Sequence, residues 1–497
     1  MDMLDAKKHI SSLVKVNSAL NWGVQNHYRK LGLTYVDVPE IVGITGACEN
    51  VDTLFKVGNR LSVPLFMTQT GQLSLEQSLQ YYSGVYTLIH SGRDEEFEDE
   101  RHLRQFRLIE EEFDCTLAGM TRANCDDEKM FTALLDHIEH AVQAAIMAVV
   151  EECGEELRNQ YDRDVDWLKE VGQRPFFKIP YEEAIVILGW NGFPNIKFGD
   201  DLKANHEETV VNLVNQKLNK GKEGKRLLPV FITKYPKEIK FFNMKVSLAD
   251  PRVVMSADLI LPLSGEAAGS AVREHDGDKL KDRLLSSTMY ELHIGRGGTY
   301  EDFKWYVDGI VNAGKTNPHA GYGIGNERVI QFILGKNDIR ECSLFSLLTK
   351  ESGDWDVSKS GKMYLFSADK KMVLLSIGKE INKKKLLPTI KKLTDSNFVF
   401  YATEKTHHFL NNNNINSTLV YKISENGKPN IKDLLRENFF DVIVNIPTHK
   451  FAPNSELTDG RRIRKEALRT KAALITDMQV AEDFLREYGV TSKIPNP

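Results

Sequence analysis

The 497-residue chain is short of the features that mark a special class. Its five cysteines, at 48, 115, 125, 153 and 342, form no Cys-x-x-Cys pair, so neither a zinc site nor a disulfide framework is indicated. No apolar run approaches ~18 residues, and the segment after Met1 is polar and amphipathic. Neither a membrane span nor a secretory leader is expected, and the expected compartment is the cytoplasm. Basic charge is not in excess: the net charge of −5 leaves no overall footprint of a nucleic-acid binder. What is present is ordinary for a globular protein, 41% hydrophobic and 27% charged, over a length that suits about two to four domains.

The most informative stretch is Ser91 to Phe113, SGRDEEFEDERHLRQFRLIEEEF. It holds Arg93 and Glu95, then Arg101 and His102, then Phe106, then the acids 110–112. The order after Phe106 suits a strand with one polar and one apolar face. An Arg before a polar loop and an aromatic after it suit a phosphate and an adenine ring. The competing reading is a surface hairpin with a solvated charge run. A second stretch, HAGYGIGNERVIQFILG from His319 to Gly335, brings three glycines to Glu327, Arg328 and an apolar helix. Glycines allow close backbone approach, and an anion is favoured at a helix start.

Together these stretches resemble motifs 2 and 3 of the class II aminoacyl-tRNA synthetases, and the surrounding sequence resembles the asparaginyl/aspartyl subgroup. Residues 6–31 carry apolar positions at helical spacing up to Gly32, and LTYVDVPEI follows as an expected strand. Helix, strand and Pro39 in that order resemble motif 1, which implies a homodimer. The resemblance covers about residues 6–346 and implies an α+β core, an antiparallel sheet flanked by helices. It implies that Arg93 meets the α-phosphate of ATP, that Phe106 stacks on adenine, and that Arg328 meets the far phosphates, with Glu95, Arg101 and His102 in the same nucleotide site. It also assigns the amino acid to Gln72, Glu49 and Arg273, with Glu76 as a further candidate. Asp258 and Glu266 are expected to hold magnesium, which takes few protein carboxylates together with substrate oxygens.

Elsewhere, residues 127–158 read as a long amphipathic helix whose Met, Ile and Val stripe is core, and 278–296 as one charged helix. Members of the subgroup that charge tRNA carry an N-terminal anticodon-reading OB-fold; with motif 1 beginning almost at Met1, none is expected here. The loop inside motif 2, DEEFEDE from Asp94 to Glu100, has six acids in seven residues and would repel a phosphate backbone. A tRNA partner is therefore disfavoured without being ruled out.

Residues 347–362 lose apolar periodicity and read as a linker between a catalytic domain, 1–346, and a second domain, 363–497. The second alternates strand and helix, which argues a parallel Rossmann-like α/β sheet. ATEKT (402–406), YKISE (421–425), VIVN (442–445) and DGRRIRKEA (459–467) resemble a methylglyoxal-synthase-like domain. Lys383, Thr403, Lys405, Thr406 and Lys422 are its candidates for an anionic or nucleotide effector. The expected activity is ATP-dependent activation of aspartate or a near analogue as an acyl-adenylate, then transfer to ammonia or a small amine. The alternatives are an asparaginyl-tRNA synthetase, with the basic helix 379–392 as its tRNA contact, and a non-catalytic amino-acid or nucleotide sensor.

Overall fold

The computed structural model describes residues 3–44, 53–58, 60, 63–95, 99–218, 226–344, 349–351, 354–356, 371–394, 398–436, 439–447, 459–470 and 472–491. Two compact units emerge, one of Ile10–Tyr364 and the other of Leu365–Pro497 with Met1–His9. Glu49 and most of the 347–362 stretch lie outside the described residues. Within that stretch Thr349–Glu351 and Asp354–Asp356 form a short antiparallel pair, so it is not wholly irregular as expected.

The larger unit is built on an eight-stranded mixed sheet: β1 (Thr34–Tyr35), β2 (Gly84–Gly92), β3 (Gln105–Asp114), β4 (Phe177–Pro180), β5 (Val230–Thr233), β6 (Ser256–Leu261), β7 (Gly265–Val272) and β8 (His319–Gly325). Their order across the sheet is β1-β2-β3-β8-β7-β6-β5-β4. The six central strands pair antiparallel, and only the edge strands β1 and β4 pair parallel. The expected strand over LTYVDVPEI shrinks to the two residues of β1; Ile41–Val42 joins a separate small sheet, because Pro39 interrupts the ladder.

One face of the sheet is closed by α3 (Asp127–Tyr161) and by the part of α1 (Met3–Lys30) from Ile10 onward, with α2 (Gln72–Ser78) placed between them in sequence. By length and composition α3 could cross a membrane. Its Met130, Ile138, Ile146, Val149 and Leu157 instead lie buried in the main core with Leu13, Leu20 and Val24 of α1. That apolar stripe is core, as its periodicity indicated. The charged segment 278–296 forms two helices, Gly277–Leu285 and Thr288–Gly295, because Ser287 caps the second through the Tyr290 amide. The helices α4 (Ala204–Leu218) and α5 (Asn326–Leu334) complete the elements that frame the site.

The smaller unit has the expected alternation. β9 (Lys371–Ile377), β10 (Phe398–Thr403), β11 (Ser417–Val420), β12 (Val442–Ile446) and β13 (Ala473–Ile475) form a parallel sheet in the order β11-β10-β9-β12-β13. Its inner strands are mostly apolar and buried on both faces, as expected where helices cover both faces of such a sheet.

Candidate active site

A cavity of about 470 Å³ opens on the face of the large sheet opposite α3. Alternation along β3 decides what it contains. Glu110 and Glu112 point into the cavity, whereas Glu111 points the other way and accepts from His137 Nδ1 at 2.6 Å. The competing reading, a solvated charge run, fails for these three acids, all of which are buried. Room for two of them comes from β8, where Gly321 pairs with Glu112 and Gly323 with Glu110. A Cβ on Gly321 would stand 2.0 Å from the Glu112 carboxyl carbon.

Arg93, Arg101, His102, Phe106, Asp258, Glu266, Arg328, Gln72 and Arg273 all line this cavity. Glu95 is half-buried and is not among the residues that line it. Arg93 lies over the Phe106 ring at 5.5 Å, a cation–π contact that orders both at one end. Arg328, on α5, donates to the backbone carbonyls of Ser264 and Arg101, each at 2.5 Å. Arg101 in turn stands 3.6 Å from Glu207 of α4, whose carboxyl burial raises to about 7 against the pull of Arg101.

The carboxylates of Asp258 and Glu266 fit a divalent cation by geometry as well as by type. A bulge in β7 sets Glu266 opposite Ile260 while Gly269 remains opposite Asp258, which brings both acids to one face. A Cβ on Gly269 would lie 3.4 Å from Glu266 Oε1 and 3.8 Å from Asp258 Oδ1, so the two converge over the position that has no side chain. Lys240 places its ammonium 2.6 Å from Asp258 Oδ2, a cation already at home there. Glu76, Glu112 and His319 also lie within 4.8 Å of one another. There Arg273, Tyr306 and Gln72 already donate into the carboxylates from within the fold, so that cluster reads as an internal network rather than a metal centre.

The amino-acid end differs from expectation in two respects. Arg273 does not present an open fork: its Nε and Nη2 both hold Glu112, at 3.0 and 2.5 Å. A cation so deeply buried between strands requires a counter-ion. Glu76, expected to touch substrate, is wholly buried behind the cavity wall and bonds to Gln72. Glu110 takes the Thr70 hydroxyl and the Gly71 amide, both at 2.6 Å, and so fixes the turn that leads to Gln72. Burial raises Glu110 to about 7 in spite of those two donors.

Sequence reasoning missed Glu110, Glu112, Glu207 and Lys240 as members of the site, and His319 behind its wall. The two strand acids had a usable signal, two residues apart opposite a glycine-spaced strand; Glu207 and Lys240 had none.

In the smaller unit the five effector candidates gather at the carboxyl ends of parallel strands, where such sheets bind ligands. Several have structural duties. Thr406 Oγ1 accepts from the Ile377 amide at 3.2 Å, Lys383 donates to the Lys405 carbonyl at 2.6 Å, and Lys422 pairs with Glu425 at 3.3 Å. Thr403 is buried at the start of α7 (Glu404–Asn411), after α6 (Glu380–Leu393), and Lys405 is exposed. Asn445, near the end of β12, accepts from Arg464 at 2.8 Å, and its amide nitrogen has no partner among the described residues.

Residues 1–349 match the model for class II tRNA synthetases (D, K and N), and residues 385–476 match the MGS-like domain. The chain belongs to the class II tRNA synthetase family. This synthetase core is 30% identical over 341 residues to the cytoplasmic asparagine–tRNA ligase of Saccharomyces cerevisiae, covering 68% of this chain and 54% of that one. With the asparagine–tRNA ligase of Desulfotalea psychrophila it shares 29% identity, covering 67% and 68%. It thus spans about half the length of the yeast relative and two thirds of the bacterial one. Among solved structures it resembles the asparaginyl-tRNA synthetase of Pyrococcus horikoshii complexed with asparaginyl-adenylate, at 30% identity and a TM-score of 0.56, covering 68% of each chain.

Proposed function

We propose that this chain is an ATP-dependent, AMP-forming ligase that activates aspartate or a close analogue as an acyl-adenylate and transfers the acyl group to ammonia or a small amine. The observation that supports this is a single cavity with two chemically distinct ends. One carries Arg93, Phe106, Arg328, Asp258 and Glu266, suited to a nucleotide; the other carries Gln72 and the Arg273–Glu112 pair, suited to a small zwitterion.

A carboxylate oxygen of the amino acid attacks the α-phosphorus of ATP, the bond to the β-phosphate oxygen breaks, and pyrophosphate leaves. The amine nitrogen then attacks the acyl carbon, AMP leaves, and a proton from nitrogen passes to solvent. No protein nucleophile is needed; the residues supply position and charge. Phe106 and Arg93 orient the base and the α-phosphate, and Arg328 meets the outer phosphates. Asp258 and Glu266 would hold magnesium, which when bound neutralises phosphate charge.

A second reading, tRNA charging, is favoured by the names of the relatives; the acidic 94–100 segment weighs against it. The quaternary proposal is a homodimer, supported by outward apolar side chains at Trp22 (57% exposed) and Tyr81 (80%). For the smaller unit the proposal is an anionic or nucleotide effector. Amino-acid-dependent exchange of pyrophosphate into ATP tests the activation step: exchange with aspartate or asparagine is expected, and its absence with every amino acid would leave a sensor as the better reading.

A further inference from the structure

Gln72 lies on the cavity wall with its amide nitrogen 2.7 Å from Glu76 Oε1. An ionised carboxylate only accepts, so the NH₂ end of this amide is turned to Glu76, and its carbonyl oxygen is the acceptor left for a ligand. Glu76 is surrounded by donors. The Tyr306 hydroxyl stands at 2.6 Å, His319 Nε2 at 3.0 Å and Arg273 Nε at 3.9 Å.

His319 is the less obvious member. It is 1% exposed, and its Nδ1 is 2.9 Å from the Asn317 carbonyl while Nε2 faces Glu76. Both nitrogens meet acceptors, which only the doubly protonated ring satisfies. The charged and titratable groups around it are Glu76, Glu112, Arg273, His275 and Tyr306. Burial alone would lower the imidazolium's affinity for its proton, but the bond and charge of Glu76, with Glu112, raise it. Burial would likewise protonate Glu76, yet His319, Arg273 and Tyr306 bring it below its ordinary value. A protonated Glu76 would be able to donate to the Gln72 oxygen and turn the amide over.

We propose that Glu76 and His319 are positioning residues whose ion pair fixes the Gln72 amide with its carbonyl oxygen toward the α-ammonium of the amino acid. The hold on the substrate's amino group is thereby set one residue behind the cavity wall. The inference rests on the reading that this cavity takes an amino acid.

The experiment compares ligands with and without the ammonium, aspartate against succinate and asparagine against succinamate, by calorimetry on the full chain. ATP affinity and the melting temperature are the controls. Wild type should prefer the amino form by about tenfold or more, the scale of one charge-assisted hydrogen bond. Glu76→Gln should shrink that preference to about twofold with ATP affinity unchanged. His319→Gln, which keeps a donor without the charge, should lose the preference at low pH and regain it as pH rises and Glu76 ionises unaided. A full preference in Glu76→Gln, an equal loss of both ligands, or a pH-independent preference in His319→Gln would each overturn the proposal. Failure of wild type to bind any of the amino acids would instead overturn the ligase reading.

Discussion

Arg273 grips Glu112 through two nitrogens, and this pair, not an open guanidinium, is what the amino-acid end of the cavity offers a side chain. The pair combines a donor-rich cation with an acid whose carboxyl burial pushes up to about 7, the Glu76 charge adding to the effect and Arg273 opposing it. An aspartate side chain meets Glu112 favourably only when Glu112 carries its proton. An asparagine amide donates to the ionised form and accepts from Arg273.

KM for aspartate should therefore rise by roughly tenfold per pH unit above about pH 7, while KM for asparagine stays flat. Steady-state pyrophosphate exchange from pH 6 to 9 checks this, and Glu112→Gln should remove the slope. Equal slopes for both amino acids would count against this role of Glu112.

Gly321 gives Glu112 its space. Adding one methyl there puts carbon 2.0 Å from the Glu112 carboxyl carbon, closer than any relaxation of a short buried side chain absorbs without moving Arg273. Gly321→Ala should lose about 1–3 kcal/mol of stability in urea unfolding and raise KM for the amino acid more than KM for ATP.

Glu110 gives a signed dependence of stability on pH. Its folded value of about 7 lies above the ordinary 4.5, so between those values the folded state holds the extra proton. Stability must fall as pH rises through that window and level off above it. Thermal melts of wild type and Glu110→Gln should show the wild-type Tm decreasing relative to the variant from pH 5 to pH 7.5. A constant difference would mean that Glu110 is ionised throughout.

At the nucleotide end, Arg93→Ala should abolish exchange, because Arg93 is the cation that lies over the Phe106 ring, where the α-phosphate is assigned. Retained full activity would move the ATP site elsewhere. In the smaller unit, Thr403→Ala with Lys405→Ala should change the response to an anionic effector such as a nucleotide monophosphate, with the unstimulated rate intact.

The sequence made most of this legible where chemistry and period coincide. Arg93, Phe106, Arg328, Asp258 and Glu266 meet in one cavity, and the strand–helix alternation after residue 370 predicted the parallel sheet strand for strand. What it concealed depended on tertiary contact. The acids 110–112 look like a solvated run until β8 supplies glycines opposite Glu110 and Glu112. Arg273 looks like a free reader of carboxylates until the register of β3 brings Glu112 to it. Glu76 looks like a substrate contact, yet the short helix α2 turns it inward, toward His319, a residue 243 positions away. Such pairings have no local signature because both partners are set by sheet register.

The decisive measurement is AMP formation from ATP with aspartate or asparagine, with and without ammonia and with and without tRNA. Ammonia-stimulated AMP release with aspartate, indifferent to tRNA, is the predicted result. Turnover that appears only when tRNA is added, with asparagine as the amino acid, would contradict the amide-ligase account and make this chain a tRNA-charging enzyme.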